Sequence, residues 1–199
     1  MNKRLYDAIQ TRKKLIDSAM ALFAQKGYAA TSIDDICAHS GCSKGSLYYH
    51  FRSKEQLFLE LAEFAFKESW NVWNELSTPI PSVREKLFAY ADYFVDHHNK
   101  PLNKAGEEFI AKVGPHSEIG MKFFAIVMGV VDDFEKLVAE GIASGEFKNE
   151  NPKELAFMIL SYYSGLSDSR SFLDREGMKN LFRKATSLLL EGISRTSSP

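Results

Sequence analysis

The sequence predicts an all-α protein, in which a small three-helix N-terminal domain (1–54) is joined to a larger helical domain (55–199). Apolar residues recur at spacings near 3.6 along most of the 199-residue chain, and alternating β-branched stretches are almost absent. The balance of basic and acidic residues also changes at this boundary. Residues 1–54 hold nine lysine or arginine residues and four acidic ones, and the remainder holds 16 basic and 22 acidic residues.

The pattern of residues 31–41 predicts a short helix after the long N-terminal helix, and a second short helix follows it. Either Thr31 or Ser32 is suited to cap the first of these two helices, and Asp34 and Asp35 fall in its first turn, where the helix dipole favours acids. Gly41 suits the left-handed residue that ends such a helix. The next helix must therefore begin within a few residues and cross at a steep angle.

The second short helix follows Ser43, which is suited to cap it. Leu47 and Phe51 are four residues apart and face inward, whereas the outer surface or its edges carry hydrogen-bonding groups. Those outer residues are Ser43, Lys44, Gly45, Ser46, Tyr48, Tyr49 and His50. Gly45 costs roughly 1 kcal/mol in a helix relative to alanine, which suggests that the backbone there must approach a partner closely. The alternative is that Tyr48, Tyr49 and His50 form a partly buried aromatic seam.

A net charge of −1 conceals a basic N-terminal domain on an acidic remainder, and only the basic part suits a polyanion. Two short helices around a glycine turn, with polar donors on the second, are typical of a helix-turn-helix that reads double-stranded DNA. Lys3 and Arg4 are either a short basic arm or, as we favour, a solvated terminus.

Residues 15–57 resemble the DNA-binding domain of the TetR family of bacterial repressors. The resemblance rests on Leu22-Phe23, Gly27-Tyr28, Thr31-Ser32-Ile33, the run from Ser43 to Phe51, and Ser53-Lys54-Glu55. Residues 47–61 also resemble the multidrug-sensing branch of that family. Beyond this stretch the similarity is limited to chain length and helix pattern.

The resemblance implies phosphate contacts at Thr31 or Ser32, at Tyr48, Tyr49 and His50, and at Lys54. It places Ser43, Lys44, Gly45 and Ser46 at the major groove. Phosphate contacts position a protein but carry no sequence information, so base readout should fall mainly to Lys44.

The larger domain is predicted to consist of amphipathic helices separated by short breaks at 78–82, 100–101, 114–115 and 141–152. None of these breaks is long enough to be a flexible linker, so helix 4 should run directly from the small domain into the larger one. The last two helices, roughly 152–169 and 174–195, carry apolar surface to spare. The resemblance implies that they pair with their copies in a homodimer; alternatively, they close the domain's own core.

Aromatic residues are abundant in the middle of the chain, and acidic residues lie close to them. Taken one by one, such residues are usually core or solvated, but together with the resemblance they indicate a ligand pocket. The candidate ligand-binding residues are Trp70, Trp73, Tyr90, Tyr93, Phe94, Glu108, Phe109, Phe124 and Asp132. A buried carboxylate would suit a cationic ligand. The apolar stretch 64–70 is richer in apolar groups than a cation site needs, so a neutral hydrophobic ligand is the alternative.

The two cysteines, Cys37 and Cys42, both lie in the helix-turn-helix and suit a reducing compartment. A redox switch is conceivable there, but two thiols that pack the turn are the favoured interpretation. We interpret His97, His98 and His116 as surface residues because no suitably spaced metal ligands accompany them. No cofactor is expected.

Fingerprints of hydrolases, phosphate loops, zinc proteases and dinucleotide enzymes are absent from the sequence. An all-α enzyme or a scaffold protein would leave the basic N-terminal domain unexplained. The longest apolar run, 123–131, is too short to cross a bilayer, and no signal peptide opens the chain, so we expect a cytoplasmic protein. The expected function is that of a homodimeric repressor released from a palindromic operator by a small hydrophobic or aromatic inducer, cationic or neutral. An activator or a ligand-requiring repressor remains open.

Overall fold

The computed structural model describes residues 3–97 and 100–193, and within them it contains α-helices and no strand, as predicted. The side chains of Lys3 and Arg4, and all of His98, lie outside the described part. The α-helices are α1 (Lys3–Lys26), α2 (Ile33–Ser40), α3 (Lys44–His50), α4 (Lys54–Ser77), α5 (Val83–His97), α6 (Lys100–Val113), α7 (Glu118–Ala143), α8 (Pro152–Leu166) and α9 (Arg175–Ile193).

The chain divides into two compact units. The first takes its residues from 1–66 and 99–126, and the second takes them from 67–98 and 127–199. Helix α4 continues without interruption from residues of the first unit into residues of the second, as predicted for helix 4. The predicted small domain, 1–54, is thus part of a larger unit that also contains the start of α4 and all of α6. Packing between residues distant in sequence causes this difference.

Four buried aromatic rings form the centre of the first unit. Tyr28 and Phe58 lie with their ring centroids 5.0 Å apart, and Phe109 of α6 lies 5.0 Å from Tyr28 and 4.6 Å from Phe58. Phe23 of α1 completes the group, 5.2 Å from Phe58. Burial of such a side chain contributes about 1.5–3 kcal/mol, so these rings hold α1, α4 and α6 together. Helix α6 is therefore structural for the unit that carries the helix-turn-helix.

The turn between α1 and α2 requires glycine at its start. Gly27 has a φ of 83°, which disfavours any residue with a Cβ. A Cβ at this position would also lie 2.5 Å from a carboxylate oxygen of Glu108. That carboxylate accepts a hydrogen bond from the backbone N–H of Ala29 at 3.0 Å. Helix α6 thus supports this turn by a polar contact as well as by packing.

In the second unit, ion pairs join α5 to α9. Arg183 donates two hydrogen bonds to the Asp92 carboxylate, at 2.9 and 2.7 Å. Asp96 contacts Arg175 and Lys179, each at 2.7 Å. The hydrogen bond from Arg175, followed by that from Lys179, lowers the pKa of Asp96 to about 2. Asp96 therefore remains charged and paired throughout the physiological pH range.

The last two helices use their apolar residues in two ways. Helix α8 ends at Leu166, earlier than predicted, and a short 3-10 helix, Ser167–Ser171, separates it from α9. Several predicted apolar positions are buried in the second unit, namely Leu155, Ile159, Tyr163, Met178, Phe182 and Ala185. Others stay exposed, namely Met158 (61%), Tyr162 (41%) and Leu188 (56%). The pair closes its own core and still presents an apolar face.

Candidate functional site

Helix α3 presents one side to the first unit and the other to solvent. The Ser43 hydroxyl accepts a hydrogen bond from the Ser46 N–H at 3.1 Å, which caps the helix as predicted. Leu47 and Phe51 are fully buried. Gly41, with a φ of 68°, ends α2 in the left-handed conformation that the sequence predicts. Because this helix has only 7 residues, its conformation depends on the cap and on these two buried anchors.

The outward side of α3 carries the side chains that the sequence assigns to DNA. Tyr48 is 52% exposed and Tyr49 is 80% exposed, and the Tyr49 ring meets the half-buried His50 ring edge to face at 5.0 Å. These exposures are inconsistent with a partly buried seam. At Gly45, an added Cβ would meet only the Ser43 hydroxyl, at 3.9 Å. The fold itself therefore does not require glycine there, and close approach by a partner stays a prediction.

Ser32, and not Thr31, caps α2. The Ser32 hydroxyl accepts from the Asp35 N–H at 3.0 Å, and the Asp35 carboxylate accepts from the Ser32 N–H at 2.9 Å. The backbone hydrogen bond from Ser32 is the main cause that lowers the pKa of Asp35 to about 2. Thr31 is 1% exposed, and its hydroxyl donates to the Gly27 carbonyl at 2.7 Å. The phosphate contact expected at Thr31 is thus unsupported, because its side chain is used inside the fold.

Lys44 has an intramolecular partner at the start of α2. Its Nζ lies 2.6 Å from Asp34 Oδ1, and both side chains are more than half exposed. The hydrogen bond to Asp34 raises the pKa of Lys44. An exposed pair of this kind contributes little to stability, about 0–1 kcal/mol. Lys44 can therefore exchange Asp34 for a base acceptor at small cost.

The Lys54 side chain is directed into the first unit, where its ammonium already has a partner, and the phosphate contact at Lys54 stays a prediction. Its Nζ donates a hydrogen bond to the Tyr28 carbonyl and lies 4.0 Å from the centroid of the Tyr28 ring. Partial burial, followed by the charge of Lys112, lowers the pKa of Lys54. The sequence placed Lys54 correctly at the start of α4 but did not reveal that Tyr28 takes up its charge.

We expect Lys54→Met to destabilise the protein and to leave the salt dependence of DNA binding unchanged. Methionine keeps much of the packing but removes the charged donor, and a hydrogen bond to a charged group contributes about 1.5–3 kcal/mol. Thermal unfolding measures the first effect, and affinity at several salt concentrations measures the second. Lys13→Met, at an exposed lysine of α1, is the control for stability. Unchanged stability with a shallower salt slope would restore the phosphate role of Lys54.

Five predicted ligand-binding residues form one aromatic cluster in the second unit. They are Trp70, Trp73, Tyr90, Tyr93 and Phe94. The Tyr90 ring is central, with its centroid 4.9 Å from that of Trp73 and 6.2 Å from that of Phe94. Tyr93 donates a hydrogen bond from its hydroxyl to the Ser69 carbonyl at 2.7 Å.

Three further aromatic residues join this cluster, and the sequence analysis did not assign them to it. Phe134 of α7 lies 4.9 Å from Tyr90, and Tyr163 and Phe182 from the last two helices each lie 5.7 Å from Phe94. The Tyr163 hydroxyl is 2.6 Å from the hydroxyl of Thr186. The helical spacing of Tyr163 and Phe182 indicated burial, but no local signal indicated which helices would meet.

Four other predicted ligand residues lie elsewhere. Glu108 and Phe109 belong to the first unit, where they support the turn after α1 and the aromatic centre. Phe124 also belongs to the first unit and is 44% exposed. Asp132 is exposed and accepts a hydrogen bond from Lys153 Nζ at 2.7 Å. The predicted buried carboxylate is therefore wrong for Asp132, which is exposed, whereas Glu108 is half-buried and accepts a backbone N–H.

Two largely buried aromatic side chains of the cluster carry a hydrogen-bond donor. Tyr90 is 6% exposed and Trp73 is 2% exposed, and their donors are the hydroxyl and the indole N–H. Burial raises the pKa of Tyr90, so its hydroxyl stays protonated. A hydroxyl and an indole N–H in an otherwise apolar cluster suit a ligand with an acceptor atom.

The histidines and cysteines of the described residues form no metal centre. Searched over residues 3–97 and 100–193, the structure has no group of three or more potential metal ligands. The exposed His97 stacks on Tyr93, with ring centroids 4.2 Å apart. His116 is exposed, as predicted, and the cysteines are free thiols. Over the same residues, no helix is long and apolar enough to span a membrane.

A short, solvent-facing helix held by buried anchors after a glycine turn defines a helix-turn-helix DNA-binding protein. The model of the bacterial regulatory proteins of the tetR family matches residues 15–61, and that of the QacR-like C-terminal region matches residues 64–195. The chain therefore belongs to the TetR family of bacterial regulatory proteins, with a QacR-like C-terminal region, and is a transcriptional regulator.

Relatives and solved structures agree with this assignment. The chain is 25% identical to the HTH-type transcriptional regulator QacR of Staphylococcus aureus over 185 residues, which cover 92% of this chain and 98% of QacR. It is 26% identical to IcaR of the same species, a negative transcriptional regulator of the biofilm operon icaADBC, over 90% of this chain and 96% of IcaR. A putative TetR-family regulator from Mesorhizobium loti shares the fold, with a TM-score of 0.78 and 17% identity over 98% of this chain and 100% of that one.

Proposed function

We propose that this regulator is a cytoplasmic, homodimeric repressor that binds a palindromic operator and leaves it when a small, neutral, hydrophobic or aromatic inducer binds. The observation that supports DNA recognition is the exposed side of α3. Lys44, Tyr48 and Tyr49 project from a helix whose opposite side is fixed by Leu47 and Phe51. Exposed donors on a rigid scaffold can meet phosphates and base edges without reorganisation of the fold.

The assignment of roles on α3 follows from the chemistry of each side chain. Lys44 reads bases, with Ser43, Ser46 and the Gly45 backbone beside it. Tyr48, Tyr49 and His50 bind phosphate, and the backbone amides at the start of α2, which Ser32 caps, supply a further phosphate contact.

A homodimer fits the exposed apolar face of α8 and α9. Phe157, Met158 and Leu188 are each more than half exposed. An apolar face formed by two adjacent helices suits a second copy of the same face, since most soluble oligomers are symmetric. Two copies of α3 held about one DNA turn apart would read the two halves of a palindrome.

The first test is binding of the purified protein to its own upstream DNA and to random DNA at near-physiological salt. Preference for the upstream DNA would support the proposal. If no preference is seen, selection from random sequences should enrich a palindrome with half-sites about one turn apart. Failure to enrich any palindrome would contradict the proposal.

We favour a neutral inducer because acids near the aromatic cluster are already paired. Asp92 binds Arg183, Asp96 binds Arg175 and Lys179, and Asp132 binds Lys153. A cationic ligand would have to displace one of these cations. The indole N–H of Trp73 and the hydroxyl of Tyr90, set among aromatic rings, instead suit an uncharged aromatic molecule that carries a carbonyl or ether oxygen.

Trp70 and Trp73 are the only tryptophans of the chain, so their fluorescence reports on the cluster. We expect neutral aromatic compounds with an acceptor oxygen to change this fluorescence and to release DNA at the same concentrations. Tyr90→Phe should weaken the binding of such a compound by about 0.5–1.5 kcal/mol, the usual contribution of one hydrogen bond. Phe124→Ala, a change in the first unit, is the control. A matched cationic compound that binds more tightly would contradict the neutral class.

A further inference from the structure

Both cysteines of the chain lie at the end of α2. Cys37 is in the last turn of that helix, and Cys42 follows Gly41, immediately before the Ser43 cap of α3. The chain contains 2 cysteines in all, so any intrachain disulfide must join this pair.

The backbone of the turn brings these two residues together. The N–H groups of both Gly41 and Cys42 donate to the Cys37 carbonyl, the latter at 3.2 Å. This is the pattern of a Schellman-type helix end, in which the two residues at the positions of Cys37 and Cys42 commonly touch through their side chains. Burial is the main cause that raises the pKa of Cys37, followed by the charges of Asp34 and of Cys42.

The two thiols differ in access to solvent. Cys42 is half-buried, and its Sγ lies 3.7 Å from the Ser40 carbonyl oxygen. Cys37 is 9% exposed and packs in the core of the first unit. An oxidant in solution therefore reaches Cys42 first, and Cys37 is the neighbouring thiol that can resolve the product.

We propose that Cys37 and Cys42 form a reversible intrachain disulfide on exposure to a peroxide, and that this disulfide weakens DNA binding. The second part rests on the DNA-binding function proposed above, whereas the first part does not. The site is an oxidisable thiol pair built into the turn that orients the recognition helix.

The reaction is a two-electron oxidation with peroxide as the oxidant. The Cys42 thiolate attacks one peroxide oxygen, the O–O bond breaks, and a sulfenic acid forms while the other oxygen leaves and is protonated to water. Cys37 then attacks the sulfenic sulfur, the S–O bond breaks, and the second oxygen leaves as water. The two thiols together lose two protons and two electrons, and each peroxide oxygen becomes a water molecule.

The disulfide should disturb α3 because of its position. It draws the two sulfurs to about 2.05 Å, well inside their van der Waals separation. Because Cys37 is fixed in the core, Cys42 is the residue that adjusts, and Ser43 and Lys44 follow it directly in the chain. Displacement of the cap and of the base-reading lysine by a fraction of an ångström is sufficient to misalign hydrogen bonds to base edges.

The test treats the full-length, reduced protein with hydrogen peroxide and analyses it by intact mass and by DNA binding. We expect a monomeric chain whose mass is lower by about 2 Da, and loss of both free thiols. Affinity for DNA selected by the reduced protein should fall at least about tenfold, which corresponds to loss of roughly one base contact. Dithiothreitol should restore both the mass and the affinity.

Cys42→Ser and Cys37→Ala provide matched controls, and Cys42→Ser alone suffices if the buried variant folds poorly. Each variant should bind DNA with the affinity of the reduced wild type, and peroxide should not change that affinity. A peroxide product that is a covalent dimer or a stable sulfinic acid would overturn the disulfide. An intrachain disulfide with unchanged DNA affinity would overturn its regulatory effect. Failure of the reduced protein to select any DNA would instead count against the proposed function, and the mass measurement would still test the disulfide.

Discussion

Replacing Lys44 with alanine is expected to lower affinity for the selected operator by about 10- to 100-fold, since a well-placed pair of hydrogen bonds to a base contributes about 1–3 kcal/mol of discrimination. The variant should fold normally, because the Lys44 side chain is exposed and its only described ion pair is with the exposed Asp34. Affinity for random DNA should fall much less. Titrations of operator and random DNA at one salt concentration measure both effects.

Asp34→Asn is the informative companion to this variant. This substitution frees Lys44 and removes a negative charge from the exposed side of the helix-turn-helix. Affinity for random DNA should therefore rise, and the ratio of operator affinity to random-DNA affinity should fall. Equal losses of specific and non-specific binding in Lys44→Ala would contradict its base-reading role and would leave it as a phosphate contact.

If the protein is the homodimer proposed above, the double variant Met158→Asp/Leu188→Asp is expected to convert it to monomers and to abolish tight operator binding. Both side chains are largely exposed in the single chain, so the monomer should keep its fold, whereas the charges would have to be buried in the dimer. Loss of the second half-site should lower operator affinity by about 10²–10⁴-fold. Sedimentation or light scattering measures the oligomeric state, and an operator titration measures affinity.

Leu76→Asp is the matched control, because Leu76 is an exposed leucine of α4 in the same compact unit. It should leave both the oligomeric state and operator affinity unchanged. If the double variant remained dimeric, the interface would lie elsewhere and the proposed use of α8 and α9 would be wrong.

Features governed by neighbours in sequence were predictable for this chain. Ser43 as a cap, Gly41 in the left-handed region and the inward pair Leu47 and Phe51 all follow from rules that act over one or two helical turns. The side chains left on the outside of α3 follow from the same geometry. The sequence was therefore sufficient to propose which residues face DNA.

Features governed by contacts between distant segments were not predictable. Lys54 has the position and charge of a phosphate contact, but Tyr28, which precedes it by 26 positions, supplies a carbonyl and a ring that bind its ammonium. Glu108 has the composition of a ligand carboxylate, yet it accepts the Ala29 amide, 79 positions away. Periodicity shows that a residue is buried but not which element it meets, so the intramolecular partners of Lys54 and Glu108 could not be read from the sequence.

The separation of anchoring residues from exposed residues around α3 affects how regulators of this kind can acquire new operators. Leu47 and Phe51 hold the helix, whereas Lys44, Gly45, Tyr48 and Tyr49 face solvent and contribute little to the core. Substitutions at the outward positions are consequently near neutral for folding, so selection can test new base preferences one residue at a time. A gene duplicate of this chain can thus acquire a separate regulatory target without first passing through an unstable intermediate.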